Sequence, residues 1–364
     1  MYEDGFLAKK LDERRQQNAL RELKLFDNKI DFCSNDYLGI VKKDLLKRKF
    51  QKDVYKHGST GSRLLAGNYA LVEKVETELA AFHESEAALI FNSGYDVNVG
   101  LLSCVPQKGD TIIYDQLVHA SIRDGIRISF AQSYSFLHND VDDLHKKLQQ
   151  ASGNIFIVTE SVFSMDGDTC PLQEIVALCE RYKAHLILDE AHAIGVVGES
   201  GEGLAQHLQL HDKCFARVYT FGKACGCHGA VVCGTERLTT YLINFARSFI
   251  YSTALPEIAV AAIQATYQTF PSMQDERKLL QRLINVFKEA TLAYEKIISD
   301  TPIQGIVVAG NEEVKQVALQ LQQSNFDVRP ILYPTVSKGK ERLRIVLHAF
   351  NSEDEVMQLI KLLQ

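Results

Sequence analysis

The segment YTFGKACGCHGA places Lys223 in a glycine-rich turn directly after an apolar strand. A lysine so placed can serve as a nucleophilic amine, because partial desolvation leaves its Nζ neutral often enough to form an imine. Its small neighbours Gly222, Ala224 and Gly226 would let a bulky planar ligand approach the backbone. Upstream, the apolar strand LILD ends in Asp189, and His192 follows three residues later. A carboxylate at a strand's carboxyl end, held away from bulk water, can keep a heteroaromatic nitrogen protonated and so turn the ring into an electron sink. The stretch between Asp189 and Lys223 is long enough for a crossover and another strand, so both can line one cleft. Taken singly, Lys223 reads as an ordinary loop lysine and Asp189 as a turn or cap residue. Their company argues otherwise.

Two further runs join them. FNSGYDVNVG carries a strand into Ser93-Gly94-Tyr95 and then a helix, the arrangement in which free backbone N–H groups and the helix dipole receive an anion. His119, in DQLVHASI, would sit across the same cleft, where an imidazole can stack on a planar ring.

The elements that must hold these residues alternate from about residue 70. LVEKVETELAAFH and PLQEIVALCERYK read as amphipathic helices, the second opened by Pro171. EAALIFNSG, TIIYD, YSFLHND, NIFIVTES, AHLILDEAH and RVYTFGK read as short buried strands. That alternation predicts an α/β fold with a mostly parallel sheet covered on both faces, whose ligands lie outside the strands' carboxyl ends. Helical periodicity also covers residues 9–25, and ERKLLQRLINVFKEATLAYEKII reads as one long helix. Short strand-like runs and a last helix follow. The expected organisation is an N-terminal helical arm over 1–45, a large domain over 46–262 and a small C-terminal α+β domain over 263–364.

Composition narrows the partners. The 364 residues are 46% hydrophobic and 24% charged, with a formal charge of -6 and no dense basic run, which argues against nucleic acid or an anionic membrane as partner. No stretch reaches the ~18 uninterrupted apolar residues of a membrane helix. MYEDGFLAKKLDERRQQ has no apolar core of the secretory kind, so the expected compartment is the cytoplasm. Eight scattered cysteines read as reduced core residues. Cys225-Gly-Cys227-His228 lacks a fourth ligand and a longer spacer, so no metal is expected.

Ten ordered blocks, among them FCSNDYLG, HGSTGSRLLAGN, ALIFNSGYDVN, DQLVHASI, TESVFSMDGDTCPL, LDEAHAIGVVGESG, TFGKACGCHGA, FARSFIYSTALP and RPILYPTVSKGKERLRI, make the chain resemble the α-oxoamine synthases, fold-type I enzymes that use pyridoxal 5'-phosphate. The resemblance implies decarboxylative condensation of an amino acid with an acyl thioester. By the same likeness, Lys223 holds the cofactor as a Schiff base and later moves the α-proton. Asp189 pairs with the pyridine nitrogen, His192 and Ser164 contact the ring hydroxyl, and His119 stacks on the ring. Gly94, Tyr95 and Thr220 hold the phosphate. Ser252 and Thr253 match a pair reaching the phosphate from a neighbouring subunit, which implies a homodimer with shared sites. Glu160 and Asn35 fall where the family places groups around the substrate and the intermediates, and Glu160 counts with the cofactor-binding set. Arg344 matches the arginine gripping the amino acid's carboxylate, and Arg21 one associated with the acyl chain's far carboxylate.

Within the family, ALREL with Arg21 and PTVSKGKERLR favour L-alanine plus a pimeloyl thioester, the biotin-pathway pair, because a pimeloyl chain ends in a carboxylate that needs a cation. Glycine C-acetyltransferase, 5-aminolevulinate synthase and serine palmitoyltransferase share the cofactor kit and are the rivals. A non-catalytic partner subunit is a rival of another class, but it should lack the Schiff-base lysine. Three departures bear on the acyl group: a short segment before IDFCSNDYLG, Glu190 after Asp189 where a second Asp is usual, and VLHAFN after RLRI.

Overall fold

A computed structural model describes residues 4–25, 28–47 and 55–364, and the chain divides into two compact units. The larger comprises Leu38–Ser164 and Thr169–Arg277; the smaller comprises Met1–Tyr37, Met165–Asp168 and Lys278–Gln364.

The large unit is built on seven strands: β1 (Ala87–Phe91), β2 (Thr111–Asp115), β3 (Gln132–Phe136), β4 (Ile155–Glu160), β5 (His185–Asp189), β6 (Cys214–Thr220) and β7 (Ala230–Gly234). Their order across the sheet is β1-β7-β6-β5-β4-β2-β3. The run β6-β5-β4-β2-β3 is parallel, and β7 pairs antiparallel with both β6 and β1. The expected mostly parallel sheet is therefore present. Apolar residues fill the central strands, with Ile157, Val158, Leu186, Leu188 and Val218 essentially inaccessible, as a sheet covered on both faces requires. Because β2, β4, β5 and β6 run the same way, Asp115, Glu160, Asp189 and Thr220 end on one edge of the sheet.

Helices Ala70–Phe82 and Leu172–Tyr182 form where periodicity placed them. The large unit extends past the boundary expected near 262. Val260, Ile263, Phe270 and Met273 are buried in one cluster with Val72, Leu79, Ile90 and Phe221, so the helix Glu257–Tyr267 and the residues to Arg277 belong with it.

The small unit carries a four-stranded antiparallel sheet in the order Arg329–Ile331, Arg342–Val346, Ile303–Val307, Glu295–Ile297. Helices Asn311–Gln323 and Glu353–Leu362 accompany it, the latter opened by a Ser352/Glu355 capping box. Residues 4–25 and 28–37 belong to this unit rather than to a separate arm ending at 45, since Ile30–Asp31 pairs with Phe326–Asp327 and Phe32 lies against Phe326.

Two helices are shorter than their periodicity predicted. The first stops at Gln16, where Asn18 takes a positive φ of 51° and the Ala19 N–H turns back to the Arg14 carbonyl; Leu23 and Leu25 lie exposed beyond it. The second covers Gln274–Glu289, after which Glu295–Ile297 is taken by the sheet edge at Gly305–Val307. The short segment before IDFCSNDYLG lies partly outside the described residues. No helix among the described residues is long and apolar enough to cross a membrane.

Candidate active site

The carboxyl edge of the parallel strands gathers the chemistry-bearing side chains of the large unit. Lys223, half-buried in the turn after β6, puts its Nζ 2.7 Å from Nε2 of the buried His192. Asp189, at the end of β5, is 5% exposed. Its Oδ1 accepts the Ala191 N–H at 2.9 Å and its Oδ2 accepts from Asn98 Nδ2 at 2.8 Å. On the neighbouring strand, directly opposite Asp189 in register, Glu160 accepts the backbone N–H of His119.

The electrostatics tie these groups together. Burial, then repulsion from Asp189, pushes the Glu160 carboxyl up to about 8, against the opposing pull of Lys223 and of the His119 N–H. Protein packed around one side of His119 lowers its imidazole pKa although the residue also meets solvent. The Lys223 charge lowers it further, while Asp189 and Asp124 oppose the shift. The charges of Lys223 and of Asp189 are both felt at Glu160 and at His119. Glu190, the departure from the usual Asp, accepts the Leu204 and Ala205 N–H groups at 3.0 and 2.8 Å, the work of a helix cap.

An anion cradle adjoins. Ser93 caps the helix Gly94–Cys104, accepting the Asp96 N–H at 3.1 Å. A Cβ built on Gly94 would meet the Thr220 hydroxyl at 2.5 Å, so only glycine keeps the helix's first turn open beside that Oγ1. Tyr95 is 48% exposed and donates its hydroxyl to Asp124 at 2.7 Å. Ser164 is half-buried in the loop after β4. Ser252 and Thr253 line a small pocket with Arg63, Asn92 and Ser248, and Asn92 Nδ2 donates to the Thr253 carbonyl at 2.8 Å. Hydroxyl and backbone donors at a helix start, an amine, and a buried carboxylate form a donor set that fits pyridoxal phosphate at its anionic, aldehyde and pyridine ends.

Three expected residues lie in the small unit. Arg344, on Arg342–Val346, donates to Asn35 Oδ1 at 3.0 Å, and the Tyr37 hydroxyl reaches the same oxygen at 3.2 Å. Burial raises the Tyr37 phenol to about 12, so Tyr37 remains a donor. Arg21 is exposed and donates to Thr335 Oγ1 at 3.2 Å. Among the described residues no group of three His, Cys, Asp or Glu could hold a metal ion, and Cys227 donates its thiol to the Cys225 carbonyl.

Sequence reasoning missed Asn98 and Ser121, which are buried beside Asp189 and His119. The signal was present in Asn98, a lone carboxamide on a helix face shared with Val97, Leu101 and Leu102.

The comparisons give the family. The model of the family described as aminotransferase class I and II matches residues 27–363. An 8-amino-7-oxononanoate synthase of Lysinibacillus sphaericus is 40% identical, covering 91% of this chain and 87% of its own. The solved 8-amino-7-oxononanoate synthase of Francisella tularensis superposes with a TM-score of 0.76 at 30% identity, covering 93% of this chain and 97% of that one. The solved serine palmitoyltransferase of Sphingomonas wittichii superposes with a TM-score of 0.86 at 26% identity, covering 99% and 96%. On its ten sequence blocks, its sheet edge and these matches, the chain belongs to the class I and II aminotransferase family, as a fold-type I pyridoxal-phosphate acyltransferase of the α-oxoamine synthase kind.

Proposed function

We propose that the protein joins L-alanine to a pimeloyl thioester, with loss of carbon dioxide and the carrier thiol, giving 8-amino-7-oxononanoate for biotin biosynthesis. The observation carrying this reading is the meeting of Lys223, His192, Asp189, His119 and Glu160 at one sheet edge, beside the Gly94/Thr220 cradle. The choice of substrates draws on the relatives' names and on Arg21, a cation suited to the far carboxylate of a pimeloyl chain.

Pyridoxal phosphate, when bound, supplies the electron sink for negative charge developing at the amino acid's α-carbon. The chain's own residues do the rest. Lys223 Nζ would hold the cofactor covalently and, when freed, would take the α-proton, with His192 Nε2 beside it to orient the amine. Asp189, held by two donors, keeps the pyridine nitrogen protonated. His119 covers the ring face, and His192 with Ser164 serves the ring hydroxyl. Gly94, Tyr95 and Thr220 bind the phosphate, which Ser252 and Thr253 of a second copy complete in a homodimer. Glu160, whose carboxyl is pushed up to about 8, stays protonated near neutral pH and can donate a hydrogen bond near the reacting groups. Arg344 grips the amino acid's carboxylate, with Asn35 orienting its fork.

The likeness in fold to serine palmitoyltransferase favours a second reading, serine with a long uncharged acyl chain. A matrix of amino acids against acyl thioesters, on coenzyme A and on acyl carrier protein, read by thiol release, decides between them. Alanine with pimeloyl should exceed every other pair by at least tenfold in kcat/KM. Faster turnover of glycine with acetyl-CoA, or of serine with palmitoyl-CoA, rejects the proposed pair.

A further inference from the structure

Asn98 is 3% exposed and Ser121 is 1% exposed. A carboxamide buried this deeply is costly unless its polar hydrogens are taken up, and here both are. Nδ2 donates one to Asp189 Oδ2 at 2.8 Å and the other to Ser121 Oγ at 3.0 Å. The orientation of the amide follows from chemistry, since an ionised carboxylate only accepts and Nδ2 must therefore face it. Ser121 Oγ, already receiving from Asn98, lies 2.8 Å from His119 Nδ1, and the Ser121 backbone N–H donates to that nitrogen at 3.2 Å. A backbone N–H can only donate. His119 Nδ1 is therefore an acceptor, and the ring's proton sits on Nε2.

We infer that Asn98 and Ser121 are positioning residues, which tie the carboxylate meant for the cofactor's ring nitrogen to the imidazole meant for its ring face through one hydrogen-bonded chain. The inference deepens the proposed function and rests on its reading of Asp189 and His119. A flat ring held at its edge by one group and on its face by another demands a fixed angle between the two. The chain Asp189 Oδ2, Asn98 Nδ2, Ser121 Oγ, His119 Nδ1 supplies that constraint; each link is short, the two at Asn98 are buried and the one at His119 is part-buried. Asn98 also belongs to the helix that begins at Gly94, so the anion cradle and both ring contacts share one rigid element. The lowered imidazole pKa agrees with a neutral ring accepting at Nδ1. The charged and titratable groups around that ring are Asp189, Lys223, Asp124 and, through its backbone, Glu160.

The test uses the full-length protein with and without pyridoxal phosphate. Nitrogen-15 histidine NMR of the apoprotein, with the His119 signal assigned through His119→Gln, should show the Nε2–H tautomer in the wild type. Ser121→Ala, which deletes a single oxygen, and Asn98→Ala keep the Ser121 backbone N–H on Nδ1, so the tautomer should persist while the His119 Nδ1 resonance shifts in each as the hydroxyl donor is lost or loosened. Equilibrium binding should show pyridoxal phosphate held about tenfold more weakly by Asn98→Ala, the scale of one lost hydrogen bond to a charged group. Asn98→Asp, which sets a second carboxylate against Asp189, should weaken binding further. An unchanged His119 Nδ1 resonance in both alanine variants overturns the inference, as does unchanged cofactor affinity in Asn98→Ala. Failure of the wild type itself to bind the cofactor would strike the proposed function instead, leaving the Nδ1 resonance comparison to decide the hydrogen-bonded chain.

Discussion

Replacing Glu160 by Gln should stabilise the apoprotein at alkaline pH and leave it nearly unchanged in mild acid. Glu160 is 3% exposed, and burial with Asp189 opposite raises its carboxyl from the ordinary 4.5 to about 8. For an acid raised in the folded state, the native protein holds the proton more tightly than the unfolded chain does. Stability is therefore full below pH 4.5 and falls as pH rises toward 8, because only the unfolded chain ionises across that window. At 1.36 kcal/mol per tenfold change in proton activity, the window bounds the loss at about 5 kcal/mol. The raised value already includes the pull of Lys223, so the expected difference between wild type and variant is roughly 4 to 5 kcal/mol at pH 8.5 and near zero at pH 4.5. Glutamine keeps the oxygen that accepts the His119 N–H, so that contact survives. Urea unfolding of both apoproteins at fixed concentration, in steps from pH 4.5 to 8.5, measures the difference directly. A difference that stays flat across this range would refute the account of Glu160 as a carboxyl held neutral by its surroundings.

Gly94→Ala should weaken pyridoxal phosphate about tenfold to a hundredfold while hardly changing apoprotein secondary structure. The new Cβ meets Thr220 Oγ1 at 2.5 Å, and displacing that hydroxyl costs about 1–3 kcal/mol; a cofactor titration monitored by absorbance checks it, with unchanged affinity the contrary result. Lys223→Ala should abolish turnover and the visible absorbance of the loaded protein, while far-ultraviolet circular dichroism stays native. An active alanine variant would remove Lys223 from the chemistry.

The residues along the chain were enough to indicate the sheet and its ligand edge. Short apolar runs such as FIV and LIL, alternating with amphipathic helices, leave few ways to bury both faces, and a parallel arrangement follows from chain connectivity. Lys223, Asp189 and His119 stood out as candidates only in company, at strand ends and turns that one sheet edge can gather. Periodicity also overreached. Leu20, Leu23 and Leu25 continue a helical pattern past Gln16, yet the backbone reverses at Asn18, because a short charged segment gains little from extending a helix without an apolar surface to cover. The end of the run EATLAYEKII likewise goes to a strand, since pairing with Gly305–Val307 satisfies its backbone where helical continuation would not bury it.

What tertiary structure alone decided is how distant polar groups complete one another. Asn98, Ser121 and Asp189 are far apart in the chain, and nothing in their local pattern announces a shared hydrogen-bond network. The raised carboxyl of Glu160 has the same origin: it depends on a neighbouring strand placing Asp189 opposite it and on burial away from water. Residue type and period govern which segments are buried. Register between strands, which no single segment encodes, governs which charges meet there.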